Sequence, residues 1–162
     1  MRTISAATVS ALENDNFNLA TLIQFEFSTN IRLTDWDRNL TALSNTWVSS
    51  ANVLSFGSSS ESSDLAVNGI DITLSGVEQT YVAIFLTNNY IDVPVKLYRA
   101  VLNSADVVIG DPILVFDGLI TSFAIEDTED SSEISITTAS HWADFEKLNG
   151  RKTNHNSQVL HF

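Results

Sequence analysis

The chain contains no cysteine in its 162 residues, which removes disulfides, zinc ribbons, iron–sulfur ligation and thiol catalysis together, without naming a compartment. Stability therefore has to come from packing and pairing. No long hydrophobic run is present either. The longest, Tyr81-Val82-Ala83-Ile84-Phe85-Leu86, falls far short of the ~20 residues that span a bilayer. The N-terminus lacks a charged-then-apolar signal pattern, so the expectation is a soluble protein made in the cytosol. Positive charge is scarce. Eight basic residues against 20 acidic ones leave a formal charge of −12, which opposes the phosphate neutralisation behind most nucleic-acid affinity, and a genome-binding role is not expected. There is no Gly-x-Ser-x-Gly elbow, Walker loop or dinucleotide fingerprint, so no motif points to an enzyme.

What is present suffices for one compact domain. With 44% of positions apolar, a chain of this length can bury roughly 70% of its unfolded surface. The single low-complexity run, GSSSESSD at 57–64, is too short to separate domains and reads as a mobile loop or hairpin tip. Helical signals are few. Ser5 is a plausible N-cap for a short helix in which Val9 and Leu12 share a face, with Asn14-Asp15-Asn16 as its stop. Val77, Tyr81, Ile84 and Phe85 fall at helical spacing before Asn88-Asn89, giving a second short helix.

Strand signals dominate the rest. Leu19 to Phe27 alternates, with Leu19, Ile23, Phe25 and Phe27 on one face, and reads as a strand with one dry side. Ile31 to Leu33 is its hairpin partner, which puts the following residues at a rim. Ile70, Ile72 and Leu74 alternate with polar residues, and three more strands are expected at Val93 to Leu102, around Ile113 to Ile125, and at Glu133 to Thr138, close enough for antiparallel meander pairing. Gly118 interrupts its strand and suggests a bulge or a close backbone approach, hence curvature. The expected fold is mostly β: an antiparallel β-barrel-like domain with one or two short α-helices. Its core should contain Ile23, Phe25, Phe27, Ile72, Leu74, Leu97, Phe116, Ile120 and Ile136.

Several clusters carry potential chemistry. Asp35 and Asp37 lie two apart in Thr34-Asp35-Trp36-Asp37-Arg38, so on an extended chain both carboxylates point the same way, as acid–base work or glycan hydrolysis would need. No further acid–base partner is identifiable. A structural turn is the preferred reading, with Asx-type hydrogen bonds and an Arg38 ion pair. Asp127, Glu129, Asp130 and Glu133 offer oxygen ligands without the glycine and spacing of a calcium loop, and read as a solvated hairpin tip. His141, His155 and His161 show no H-x-x-x-H pattern. No metal, other cofactor or catalytic residue is therefore expected. Trp36, Trp47 and Trp142 suit either a sugar-stacking platform or core and interface burial, and burial is the commoner fate.

The Asp35/Asp37/Arg38 turn resembles the T-D-x-D-R signature of bacteriophage tail proteins of the DUF2163 type, which include tail-hub proteins of phages and gene transfer agents. Further landmarks follow in order: DLAVNGIDITL at 64–74, VPVKLY at 93–98, VFDGLI at 115–120 and SHWADFE at 140–146. Position 36 is Trp where such proteins often have His, and the chain lacks the Cys-bearing C-terminal half of longer relatives. The resemblance implies a non-enzymatic virion component made in the host bacterial cytoplasm. Copies would form a trimeric or hexameric ring around the tail axis, joining the tail tube to tip or fibre proteins. DNA would pass through an acidic lumen without sequence-specific binding, and no membrane is involved. The alternative is a carbohydrate-binding β-module of a receptor-binding tail protein. Residues 1–148 would form the hub domain. Residues 149–162 are read as a C-terminal arm, against the alternative of a disordered terminus. Trp36, Arg151, Lys152, Leu160 and Phe162 are its expected interface residues.

Overall fold

The computed structural model describes residues 5–13, 17–49, 53–57, 69–75, 79–128 and 132–140. The chain opens with helix α1, Ala6–Glu13, where the Ser5 hydroxyl oxygen accepts the Thr8 amide at 3.2 Å, the expected cap. Strands β1 (Asn18–Phe25), β2 (Ile31–Thr34), β3 (Leu40–Ala42), β4 (Asn45–Ser49), β5 (Val53–Phe56) and β6 (Asp71–Ser75) follow. Helix α2, Gln79–Thr87, precedes β7 (Pro94–Leu102), β8 (Ile113–Asp127) and β9 (Ser132–Ser140). Among the described residues these strands form one sheet in the order β3-β4-β2-β1-β7-β8-β9-β6-β5. Every pairing is antiparallel except β2 with β4, which run parallel through Leu33↔Val48 and Thr34↔Ser49. The expected meander is present in β7-β8-β9.

Two apolar clusters lie on opposite faces of β1. On its front face Ile23 and Phe25 join Leu97, Phe116, Ile136 and the Phe85 ring of α2, and all nine residues expected in the core belong to this cluster. Phe85 meets Phe25, Phe27 and Phe123 with ring centroids 5.9, 5.4 and 5.6 Å away. On the back face Ala20 and Leu22 pack with Ala100, Leu102, Leu40, Ala42 and Trp47. Strand β1 thus has two dry sides, which corrects the one-sided reading. Small Ala20 alternating with Leu22 gave a weak signal that this face is covered. Val9 and Leu12, read as sharing a helical face, are both exposed, and Thr8 is the buried residue of α1. That helix is fastened by its Ser5–Thr8 edge, where the Thr8 hydroxyl donates to the Ile109 carbonyl at 3.2 Å.

The expected barrel is not formed. The sheet stays open, because β3 and β5 are its two edges and no pairing joins them. Curvature is nevertheless present. Ser49 ends β4 and Val53 begins β5 at the opposite edge, so the chain between them can span no more than roughly 15 Å. Register shifts flank Gly118, one between Leu97 and Tyr98 opposite β8 and one between Ile120 and Ser122. Gly118 itself marks a close approach, since a Cβ there would collide with the Ala139 carbonyl oxygen and the Phe116 ring. Closure fails because Ala20 and Leu22 need cover on the back face. The β3–β4 hairpin extends the ladder from β2 and packs Trp47 against them, and the ladder ends at β3 without reaching β5.

Candidate functional site

The Asp35–Arg38 segment begins where β2 leaves its partner. The β1–β2 ladder runs from Phe25↔Ile31 to Leu22↔Thr34, and one residue later the chain turns away. The Asp35 amide still donates to the Thr21 carbonyl at 3.2 Å, but the Thr21 amide is met by the Asp35 carboxylate, at 2.6 Å. The side chain takes the place that a strand carbonyl would have held. Because Thr21 is buried, its amide needs that partner. The Trp36 amide is received by the Thr34 hydroxyl at 3.2 Å, and the Ser49 hydroxyl donates to the Trp36 carbonyl at 2.7 Å. The Asn39 side-chain oxygen accepts the Ser49 amide at 2.8 Å. The turn is thereby tied to both β1 and β4.

Asp37 and Arg38 face outward. The Arg38 guanidinium pairs with Asp37 at 3.2 Å and with Asp106 at 3.2 Å, and these neighbours push its pKa further above the ordinary arginine value, the Asp37 hydrogen bond first. Asp106 belongs to a compact turn whose Asn103 side-chain oxygen accepts the amides of Ala105 and Val107. The two carboxylates of the turn therefore have different partners, Asp35 a backbone amide and Asp37 an arginine. Trp36 is half-buried against the back cluster, and its Nε1 is buried without a hydrogen-bond partner among the described residues. Trp47 is wholly enclosed, donates its Nε1–H to the Ala42 carbonyl at 3.0 Å and stands edge-on to Tyr98. A ring so enclosed offers no face to a sugar. Among the described residues no group of three or more His, Asp or Glu is placed to hold a metal ion.

A polar row on the back face escaped the sequence reading. In register across β2, β1, β7 and β8 lie Arg32, Gln24, Lys96 and Asp117. Arg32 donates to Gln24 at 2.9 Å, Gln24 to Glu26 at 2.9 Å, and Lys96 to Glu26 at 2.7 Å. The Lys96 hydrogen bond holds the Glu26 carboxyl below the usual carboxylate range, and the same bond raises Lys96 above the usual lysine range. Burial pushes the neighbouring Tyr98 hydroxyl up. Alternation in β1 was visible, yet the partners opposite Gln24 and Glu26 come from strands far away in sequence. The β3–β4 hairpin was also missed. Its tip is Leu43-Ser44, both at positive φ of 51° and 58°, where Asn-Gly would have been the recognisable signal.

No protein-family model and no curated protein matches the chain. The fold does have a solved counterpart. A chain of the structure described as "Virion of native gene transfer agent (GTA) particle" superposes with a TM-score of 0.68 over 91% of this chain, at 13% sequence identity. This chain spans about half of that one, 49% of its length. At such identity the likeness is one of fold. Of the expected interface residues, Trp36 is the one described. Arg151, Lys152, Leu160 and Phe162 lie outside the described residues, as do the 149–162 arm, Trp142, the three histidines, Glu129 and Asp130.

Proposed function

We propose that this chain is a structural subunit of a phage-type tail, placed in the tip or baseplate hub, where copies form a trimeric or hexameric ring about the tail axis. The ring links the tail tube to tip or fibre proteins. The observation that carries this reading is the fold shared with a gene transfer agent virion chain over 91% of the sequence. The ordered tail-protein landmarks around Asp35, Asp37 and Arg38 support it from the sequence side. In this reading Asp35 braces the end of β1, Asp37 and Arg38 fasten the turn to the Asn103–Val107 loop, and none of the three performs chemistry. The net charge of −12 suits a lumen through which DNA slides without adhering. Residues 149–162 act as an arm on a neighbouring subunit. Arg151 and Lys152 pair there with carboxylates, and Leu160 or Phe162 buries apolar surface.

The test is location. Particles produced without the gene should lack a tail tip or an entire tail, and density for the chain should surround the tail axis in particles that contain it. Intact, infective tails built without the chain would sink the proposal. Removing the residues after Gly150 should leave a folded subunit that fails to join the tail. Incorporation of that truncated chain at the full-length level would remove the arm from the reading.

A further inference from the structure

Strands β7 and β9 flank β8 over different lengths. On one side the ladder to β7 runs from Arg99↔Ile113 to Pro94↔Leu119, and the last bonds there join Ile120 to Asp92 and Val93, both at 3.0 Å. On the other side the ladder to β9 continues to Asp127↔Ser132. Over 122–127, therefore, β8 has a neighbouring strand on one side alone among the described residues. Backbone groups of an antiparallel strand point alternately to its two sides, so about half of these residues direct both N–H and C=O away from β9, into the step that β7 leaves. That step is roughly 20 Å long at the usual rise of a strand. The outer edges of the sheet are shorter, since β3 has three residues and β5 four.

The side chains mark the same step. Phe116, Leu119 and Ile120 are buried where β7 flanks β8, whereas Phe123 and Ile125, packed on the front cluster beyond it, are only half-buried. Around the step the described charged groups are Glu126 and Asp127, Glu133 directly opposite Glu126, and Asp92, whose amide holds Ile120. All are acidic. No lysine or arginine occurs in 39–95 or 100–146, which takes in α2 and strands β5, β6, β8 and β9. Lys96, in register with Asp117 further back along β8, is engaged by Glu26. We propose that this step binds an extended segment of another protein, added as a strand beside 122–127 and alternating apolar residues with lysine or arginine. Unpaired backbone groups select an extended chain. Phe123 and Ile125 select its apolar residues, and Glu126 and Asp127, with no cation beside them, select basic ones at the positions between. The same edge of a second copy would instead set these carboxylates against their own kind. The inference goes beyond the hub reading and does not depend on it, because it follows from the sheet alone.

Hydrogen exchange of the full chain, alone and with a capped peptide alternating valine with lysine, tests the site. In the free chain the outward amides of 122–127 should exchange faster than those of Phe116 to Ile120. At a peptide concentration about ten times its Kd, these amides should slow about tenfold. The effect should fade as salt screens the charges, and the same peptide with glutamate in place of lysine should produce none. Ala124→Lys combined with Glu126→Lys should weaken peptide binding about tenfold or more. Both positions are exposed, so the circular dichroism of that variant should match the wild type. A lysine peptide that leaves these amides unchanged overturns the proposal. So does equal slowing by the glutamate peptide, or undiminished binding to the double variant. Slow exchange already present in the dilute free chain would mean that this chain covers its own step, and slowing that appears only as the chain is concentrated would make a second copy the occupant; either result also overturns it.

Discussion

Replacing Asp35 by Ala removes the carboxylate that receives the Thr21 amide at 2.6 Å, while the return bond from the Asp35 amide to the Thr21 carbonyl, at 3.2 Å, is a backbone contact and can persist. A charge-assisted hydrogen bond contributes about 1.5–3 kcal/mol, and a buried donor left unpaired costs about 1–3 kcal/mol. Asp35 is exposed, so water can reach the vacated position, and a loss of about 1–2 kcal/mol is expected. Asp35→Asn keeps an acceptor oxygen of the same reach but no charge, and should cost less than the alanine variant, about 1 kcal/mol or under. Urea denaturation followed by tryptophan fluorescence measures both. Hydrogen exchange should show the Thr21 amide losing protection in the alanine variant while amides in the front cluster keep theirs. Equal stability of the wild type and Asp35→Ala, with Thr21 still protected, would refute the bracing role. A stable Asp35→Asn protein that had lost a measurable catalytic turnover would refute the assignment of the turn to structure.

Phe85→Ala should destabilise by about 3–5 kcal/mol, because Phe85 is the wholly buried side chain by which α2 holds the sheet, and α2 amides should then exchange faster than those of β1. Thermal unfolding that changes little would show that α2 is held by other contacts. The Glu26–Lys96 pair gives a pH signature: Glu26 is depressed, so its contribution is present above the unfolded value of about 4.3 and is lost as pH falls through the lower folded value. Lys96 is raised, so its contribution is full below about 10.4 and is lost as pH rises through the higher folded value. The melting-temperature difference between wild type and Glu26→Gln should be largest between those limits and shrink in acid; a difference independent of pH would discard the pair. Gly118→Ala should cost about 1–3 kcal/mol through collision with the Ala139 carbonyl and the Phe116 ring, and a neutral result by calorimetry would mean that β8 and β9 can separate there.

The period-two pattern of Ile23, Phe25 and Phe27, repeated in Ile72 and Leu74, put each of these sets on one face of its strand, since a one-residue slip would turn every one of those side chains to the opposite face. Local capping chemistry was readable at the start of α1 and at the end of α2. Ser5 holds the Thr8 amide, and the Asn88 side chain donates to the Ile84 carbonyl at 2.9 Å. Thr34, Asp35 and Asn39 are residue types that satisfy nearby backbone groups, but the partner that Asp35 takes has no local signature. Thr21 lies 14 residues away and becomes a neighbour only once β2 has paired with β1.

The decisions left to tertiary structure are those in which distant segments compete for one surface. Val48 beside Leu33 in parallel, Trp47 against the back of β1, and Lys96 bonded to Glu26 across 70 residues have no local signature. Curvature could be expected from Gly118, yet whether a curved sheet closes depends on what its edge strands meet. Ala20 and Leu22 draw the β3–β4 hairpin onto the back face, where burying Trp47 removes a large apolar surface from water. The sheet therefore remains open, with β3 and β5 as its edges.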